Sequence, residues 1–370
     1  MKIQTIDWLL YIVTVLLVTF GVVVIYSITY GQGTTKNFAQ YQIIFAAFGF
    51  MLLLLFSILD YRTLKVVAYP FYAILLFLLI VLLFTPYGKT TFGATRWLNL
   101  GFFQFQPSEL FKLASIIAVA KICSSAELSL KHFVFAVILV LLPVILVLQQ
   151  PDFGTSIVLL LTGAVIILTS HFEKRYLFVL AGFVALFASV FILAAFSVKP
   201  FNYLLKDYQR ERIHTFLNPQ NDPFGAGYNV SQSVIAIGAG GVFGRGLGYG
   251  SQSQLNFIPS KHTDFIFAVA AEAFGFVGAS ILLGLFFVLF LRILRVAKKA
   301  QDNFGTLLAY GILTYFVVSV FVNVGMTMGL LPATGIPLPM ISYGGTSLIT
   351  SLIAIGICQS VIIRHKKITF

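Results

Sequence analysis

The chain has 370 residues, 59% of them hydrophobic and 10% charged, with a net charge of +12 and a mean hydropathy of +0.97. A soluble domain carries roughly 25% charged residues, so this composition excludes a water-soluble globular protein. Most of the cations flank apolar stretches, which argues for a membrane orientation signal and against nucleic acid as a partner.

A membrane span needs about 20 apolar residues to cross a hydrocarbon core of ~30 Å. Ten stretches qualify: 8–27, 40–57, 64–85, 107–123, 133–149, 154–170, 176–197, 265–291, 305–330 and 345–363. They predict an all-α polytopic membrane protein with a single domain over 1–370. The first stretch follows a lone Lys2 and lacks a small-residue cleavage site, so it reads as an anchor and not as a removable leader. With ten spans both termini share one side. Placing them in the cytoplasm puts Lys2, Arg62, Lys65, Lys121, Lys131, Lys174, Arg175, Arg292, Arg295, Lys298, Lys299, Arg364, Lys366 and Lys367 inside, and leaves Lys36, Lys89 and Arg96 in the short outer connections.

The outer side then holds the substantial segments 86–106 and 331–344, and a long loop, 198–264, between helices 7 and 8. Within that loop, 204–217 sets Leu204, Leu205, Tyr208, Phe216 and Leu217 on one helical face against Lys206, Arg210 and Arg212. It reads as a helix in the membrane interface or as a solvated amphipathic segment. Cys123 and Cys358 are too few for a disulfide framework and read as apolar core thiols.

Charge at a membrane edge is costly, so its placement is informative. Glu109, Asp152, Asp207, Glu211, Asp222, Asp264 and Glu272 all fall in the outer half. Lys112 follows Glu109 by three residues and can pair with it on one helix face. Asp264 follows Thr263 at the start of a helix, where capping is the ordinary work of an Asp. The glycine-rich run from Gly238 to Gly250 fits neither the dinucleotide nor the P-loop spacing; backbone that closely approaches a substrate or another loop accounts for it better. No His-Glu-x-x-His spacing occurs, so a zinc site built by the protein is not expected.

Four segments together resemble the SEDS family (shape, elongation, division and sporulation), in its rod-elongation branch. They are Arg96-Trp97-Leu98-Asn99-Leu100-Gly101 leading to Gln106-Pro107-Ser108-Glu109-Leu110-Phe111-Lys112; Gln150-Pro151-Asp152-Phe153-Gly154-Thr155-Ser156; Gln252-Ser253-Gln254-Leu255 through Lys261-His262-Thr263-Asp264-Phe265; and Gly335-Ile336-Pro337-Leu338-Pro339 to Ser342-Tyr343-Gly344-Gly345. The resemblance implies a peptidoglycan glycosyltransferase of the bacterial cytoplasmic membrane. Such an enzyme polymerises lipid II, an undecaprenyl-linked disaccharide-pentapeptide, on the outer face, releases undecaprenyl pyrophosphate, and works with a class B penicillin-binding protein.

By the same resemblance Asp264 is the catalytic base. Trp97, Arg96, Glu109 and Lys112 contact substrate, with Arg96 and Lys112 toward the pyrophosphate and Glu109 holding Lys112. One base plus cations suffices chemically, because a pyrophosphate leaves as an anion and needs charge stabilisation more than protonation. The sequence departs from the family pattern where Ser260 and Lys261 stand in place of an acid and where Ala273 replaces the second acid of a pair with Glu272. These departures thin the negative charge near Asp264 and weaken the case for a divalent cation such as Mg2+ or Mn2+. The competing expectation is a lipid II flippase, which should carry polar groups through both leaflets; here the membrane acids crowd at the outer edge.

Overall fold

Lipid offers a backbone no hydrogen-bond partners, so long apolar runs close their own hydrogen bonds as helices. In the computed structural model, which describes residues 6–29, 37–84, 88–91, 94–99, 104–195, 207–218, 222 and 225–365, this gives α1 (Trp8–Thr29), α2 (Phe38–Ile58), α3 (Leu64–Phe84), α4 (Pro107–Cys123), α5 (Leu130–Gln149), α6 (Phe153–Thr169) and α7 (Lys174–Ala195). The second part holds α8 (Asp207–Leu217), α9 (Ala226–Gly240), α10 (Ser251–Gln254), α11 (Ile266–Lys299), α12 (Asn303–Thr327) and α13 (Gly345–Ile363). By length and composition, α1, α2, α3, α5, α11, α12 and α13 can cross a membrane. The 17-residue α4 and α6 and the 22-residue α7 occupy the other predicted stretches.

α13 packs along α2, α12 packs on α11, α6 and α4, and α3 covers α4. In consequence α4 and α13 are enclosed over most of their lengths. At the end of the bundle where α1 begins, Asp7 caps α1 by accepting from Leu10 N (3.1 Å) and pairs with Arg292 of α11 (2.5 Å). Nearby, Asp302 caps α12 through Gly305 N (3.0 Å) and accepts from Tyr61 Oη (2.7 Å).

Three features depart from the sequence expectation. A small antiparallel sheet, β1 (Gly88–Thr91), β2 (Ala94–Asn99) and β3 (Gln104–Phe105), occupies a segment read as a plain connection in an all-α protein. The long connection 198–264 contains α9, which packs on α11 and α12 and ties Ser233 Oγ to Thr327 O (2.7 Å). Its glycines and serines are poor helix formers, so tertiary packing sustains it. The hydrophobic-face segment 204–217 appears as α8 from Asp207; positions 204–206, like Leu100 and Gly101 of the first motif, lie outside the described residues.

The third departure is a break inside α11. Gly275 takes φ 67°, ψ −165°, and there Phe276 N and Val277 N leave the helix to donate to Gly241 O (2.9 Å) and Val242 O (3.1 Å). In return, Arg245 N and Gly246 N donate to Glu272 O and Ala273 O, each at 3.0 Å. A Cβ on Gly275 would lie 2.3 Å from Gly244 N, and one on Gly244 would lie 2.2 Å from Ala273 O, which is why glycines stand where the two segments of this clasp meet. The glycine run therefore closely approaches another backbone, one belonging to a helix.

Candidate active site

Asp264 sits in a tight turn that precedes α11. The turn closes through Thr263 N to Ser260 O (3.0 Å) and requires a positive φ of 52° at Ser260. Three successive carbonyls of the turn are each taken by another element. Tyr343 N donates to His262 O (2.8 Å), Ser342 Oγ donates to Thr263 O (2.6 Å) and Asn323 Nδ2 donates to Asp264 O (2.8 Å). Phe38 stacks on the His262 ring at 4.7 Å between centroids. The turn that carries Asp264 is thus held by α12, by the segment before α13 and, through the His262 ring, by α2.

The Asp264 side chain is placed differently from those of Asp152, Asp222, Glu109 and Glu272 at this end. Asp152 caps α6, accepting from Thr155 N (3.1 Å) and Thr155 Oγ1 (3.0 Å). Asp222 accepts from Gly225 N (2.8 Å), and Glu109 pairs with Lys112 (2.8 Å). Glu272 accepts from Gln252 N (2.8 Å) and Ser253 N (3.0 Å) at the start of α10. Asp264 does none of this: the residue before α11 is Phe265, and no side chain caps that helix. Its carboxylate has the Thr263 side chain as a hydrogen-bond partner and lies in the fields of Asp152, Arg212 and Arg96. Enclosure by protein raises its pKa from 3.8 to about 6; Asp152 adds to the rise, while Thr263, Arg212 and Arg96 oppose it. Part of its surface nevertheless remains open.

Of the sequence-predicted residues, Arg96 lies within electrostatic reach of Asp264. Its Nε donates to Gln150 O (2.9 Å) and its Nη2 to Pro151 O, so the guanidinium is braced on the α5–α6 turn. Trp97, the next residue of β2, is partly exposed, and strand alternation turns it to the opposite face from Arg96. Glu109 and Lys112 are both 2% exposed, with Lys112 Nζ over the Tyr315 ring at 5.0 Å. Asp152 lies within electrostatic reach of both Lys112 and Asp264.

Sequence reasoning gave Asp152 and Arg212 no place in the site, although Gln150-Pro151-Asp152 carried part of the resemblance. Arg212 reaches the site through Thr334 O (3.2 Å) and borders a groove of about 380 Å³ lined by Thr215, Phe216, Val230, Val234 and Met328. Lys261, the unexpected cation, donates to Ser253 O (2.5 Å) and Asn256 Oδ1 (2.7 Å). Burial lowers its pKa to about 8 against the opposing pull of Glu272. Among the described residues no group of three His, Cys, Asp or Glu side chains could hold a metal ion.

The arrangement defines a multi-span membrane protein with one carboxylate, elevated in pKa and flanked by guanidinium groups, at one end of its helix bundle. Residues 7–367 match the family model of the FtsW, RodA and SpoVE proteins, described as cell cycle protein. The chain belongs to this family, which is the SEDS family. It is 42% identical over 302 residues to the peptidoglycan glycosyltransferase MrdB of Escherichia coli K12, covering 81% of this chain and 79% of that protein. It is 36% identical to stage V sporulation protein E of Bacillus subtilis, covering 96% of each. Among solved structures it is similar to a chain of a peptidoglycan synthase complex described as coordinating polymerization and crosslinking (TM-score 0.81, 31% identity, 97% and 98% covered). It is also similar to the rod shape determining protein RodA of Thermus thermophilus (TM-score 0.69, 28% identity, 96% of each covered).

Proposed function

We propose that the Asp264 turn is where this peptidoglycan glycosyltransferase of cell elongation performs its chemistry, with Asp264 as the general base. The observation that carries the reading is that Asp264, unlike Glu109, Asp152, Asp222 and Glu272 at the same end of the bundle, has neither a cap nor an ion pair. An acid held at this energetic cost without a structural task is a candidate for proton transfer.

The substrate is lipid II, whose tail stays in the bilayer while its sugars reach the outer face. The acceptor's 4-hydroxyl oxygen attacks the anomeric carbon of the donor sugar, and its proton passes to an Asp264 carboxylate oxygen. The bond from that carbon to the pyrophosphate oxygen breaks, with inversion, and undecaprenyl pyrophosphate leaves as an anion. Arg96 and Arg212 lie nearest to receive that charge, with Trp97 bordering the substrate. Lys112, held by Glu109, adds positive potential within reach of Asp152. The apolar groove beside Arg212 suits a lipid tail.

The wider reading is a ten-span bundle, both termini in the cytoplasm, with 198–264 on the outer face. A class B penicillin-binding protein is the partner; similarity to a chain from a peptidoglycan synthase complex supports this. The test is polymerisation of labelled lipid II by the purified full chain. Asp264→Asn should lower the rate by about 10²–10⁴-fold, the range for a general base. A folded, fully active Asp264→Asn protein overturns the assignment; a chain that only moves lipid II across vesicles would point to the flippase instead.

A further inference from the structure

We infer that Asn323 is a positioning residue for the transfer, acting by tying the base-bearing turn to the segment that holds a leaving-group cation. Asn323 is wholly buried on α12, and its single amide nitrogen donates twice: to Asp264 O (2.8 Å) and to Ile336 O (2.7 Å). Both acceptors are carbonyl oxygens, so only one orientation of the amide satisfies them. Its Oδ1 makes no hydrogen bond within the described protein. The residue therefore spends its whole donor capacity joining two loops and none inside α12. An Asn carried this way within an apolar helix is costly, and the cost is matched by a specific link.

The segment it grips is the one that faces the carboxylate. Gly335, at φ 76°, presents its α-carbon so closely that an added Cβ would lie 3.6 Å from Asp264 Oδ2. The preceding residue, Thr334, accepts from Arg212 Nη1 (3.2 Å). One amide thus sets the separation between the base and the Arg212 guanidinium, the two groups that must act on opposite ends of the reacting centre. An error of about 1 Å in such a separation costs about 10²-fold in rate.

The inference rests on Asp264 being the base, and the test separates the two. Initial rates of lipid II polymerisation by the full chain are measured for Asn323→Ala, Asn323→Asp and Asn323→Gln across pH, normalised to folded protein. Asn323→Ala and Asn323→Asp should lose about 10–10²-fold in kcat with KM within about twofold. Asn323→Gln, which keeps both donors on a longer stem, should recover part of the loss and stands in if the others fail to accumulate. The groups facing Asp264 are Thr263, Asp152, Arg212 and Arg96. Since enclosure is what lifts the carboxyl, a loosened turn should move the acid limb of the Asn323→Ala profile to lower pH. Tyr61→Phe, at the far end of the bundle, serves as a destabilised control. Normal kcat in Asn323→Ala with an inactive Asp264→Asn overturns the inference alone. A kcat loss matched by Tyr61→Phe at equal Tm, or an unshifted limb, also overturns it. Activity in Asp264→Asn overturns the reading beneath it.

Discussion

A carboxyl whose pKa is pushed up to about 6 has two measurable consequences. In its proposed role as a base it works only when ionised, so kcat should rise with pH through about 6 and then level. The stability effect has the opposite sign. The folded protein binds the Asp264 proton more tightly than the unfolded chain, so stability falls as pH rises from about 4 through about 6. Above that window the ionised group costs on the order of 2–3 kcal/mol, at ~1.4 kcal/mol per unit. Asp264→Asn should therefore melt higher than wild type at pH 7.5 in detergent and nearly with it at pH 4, while losing activity. A lower melting point at pH 7.5 would show that the carboxylate is structural. Glu109→Gln should behave differently, since it strands Lys112 as a buried, unpaired cation. A loss of roughly 3–5 kcal/mol is expected, visible as reduced expression and Tm before any kinetics are measured.

At the level of elements, long apolar runs declared themselves as helices because lipid leaves the backbone no other solution. The starts of α4 and α13 and their ends agree with the sequence reading. What escaped that reading was sustained by contacts between distant residues. Nothing local in Ala226–Gly240 demands a helix, and nothing local marks Gly275 as a break in a hydrophobic run. Asp264 and Arg96 were legible through motifs, whereas Asn323 lay as a single tolerated amide in an apolar stretch. Its meaning appears only when Asp264 and Ile336 are folded against it. The break itself can be tested. Gly275→Ala places a Cβ into Gly244 N and Val242 O on a left-handed backbone and should cost several kcal/mol, seen as loss of folded yield. Gly284→Ala, nine residues along the same helix with nothing within 4 Å, should be neutral or slightly stabilising. Equal behaviour of the two variants would mean that the clasp carries no weight.

For the molecule as a whole, the acids with structural duties at one end and the Asp7–Arg292 and Asp302–Tyr61 ties at the other bind the bundle at both faces. The proposed orientation assigns the Asp264 end to the outside. Reporter fusions at residue 230 should then read as external, and fusions at 60, 127, 173 and 298 as cytoplasmic; one reversed inner connection would break the ten-span plan. Polymerisation by the isolated chain should be weak and should rise when the transpeptidase partner is reconstituted with it. Equal rates with and without every class B penicillin-binding protein of the same cell would remove the partner from the mechanism.

The clasp at Gly275 also makes residues 247–271 a closed loop, fastened at its neck by hydrogen bonds between 241–246 and 272–277. Closing a loop costs chain entropy that grows only slowly with length, ~0.6 kcal/mol for each doubling. That ordering is met once, when the protein folds, and not at each encounter with substrate. Asp264 is carried on the ring thus formed, so its carboxylate is held in one place however the lipid around it moves.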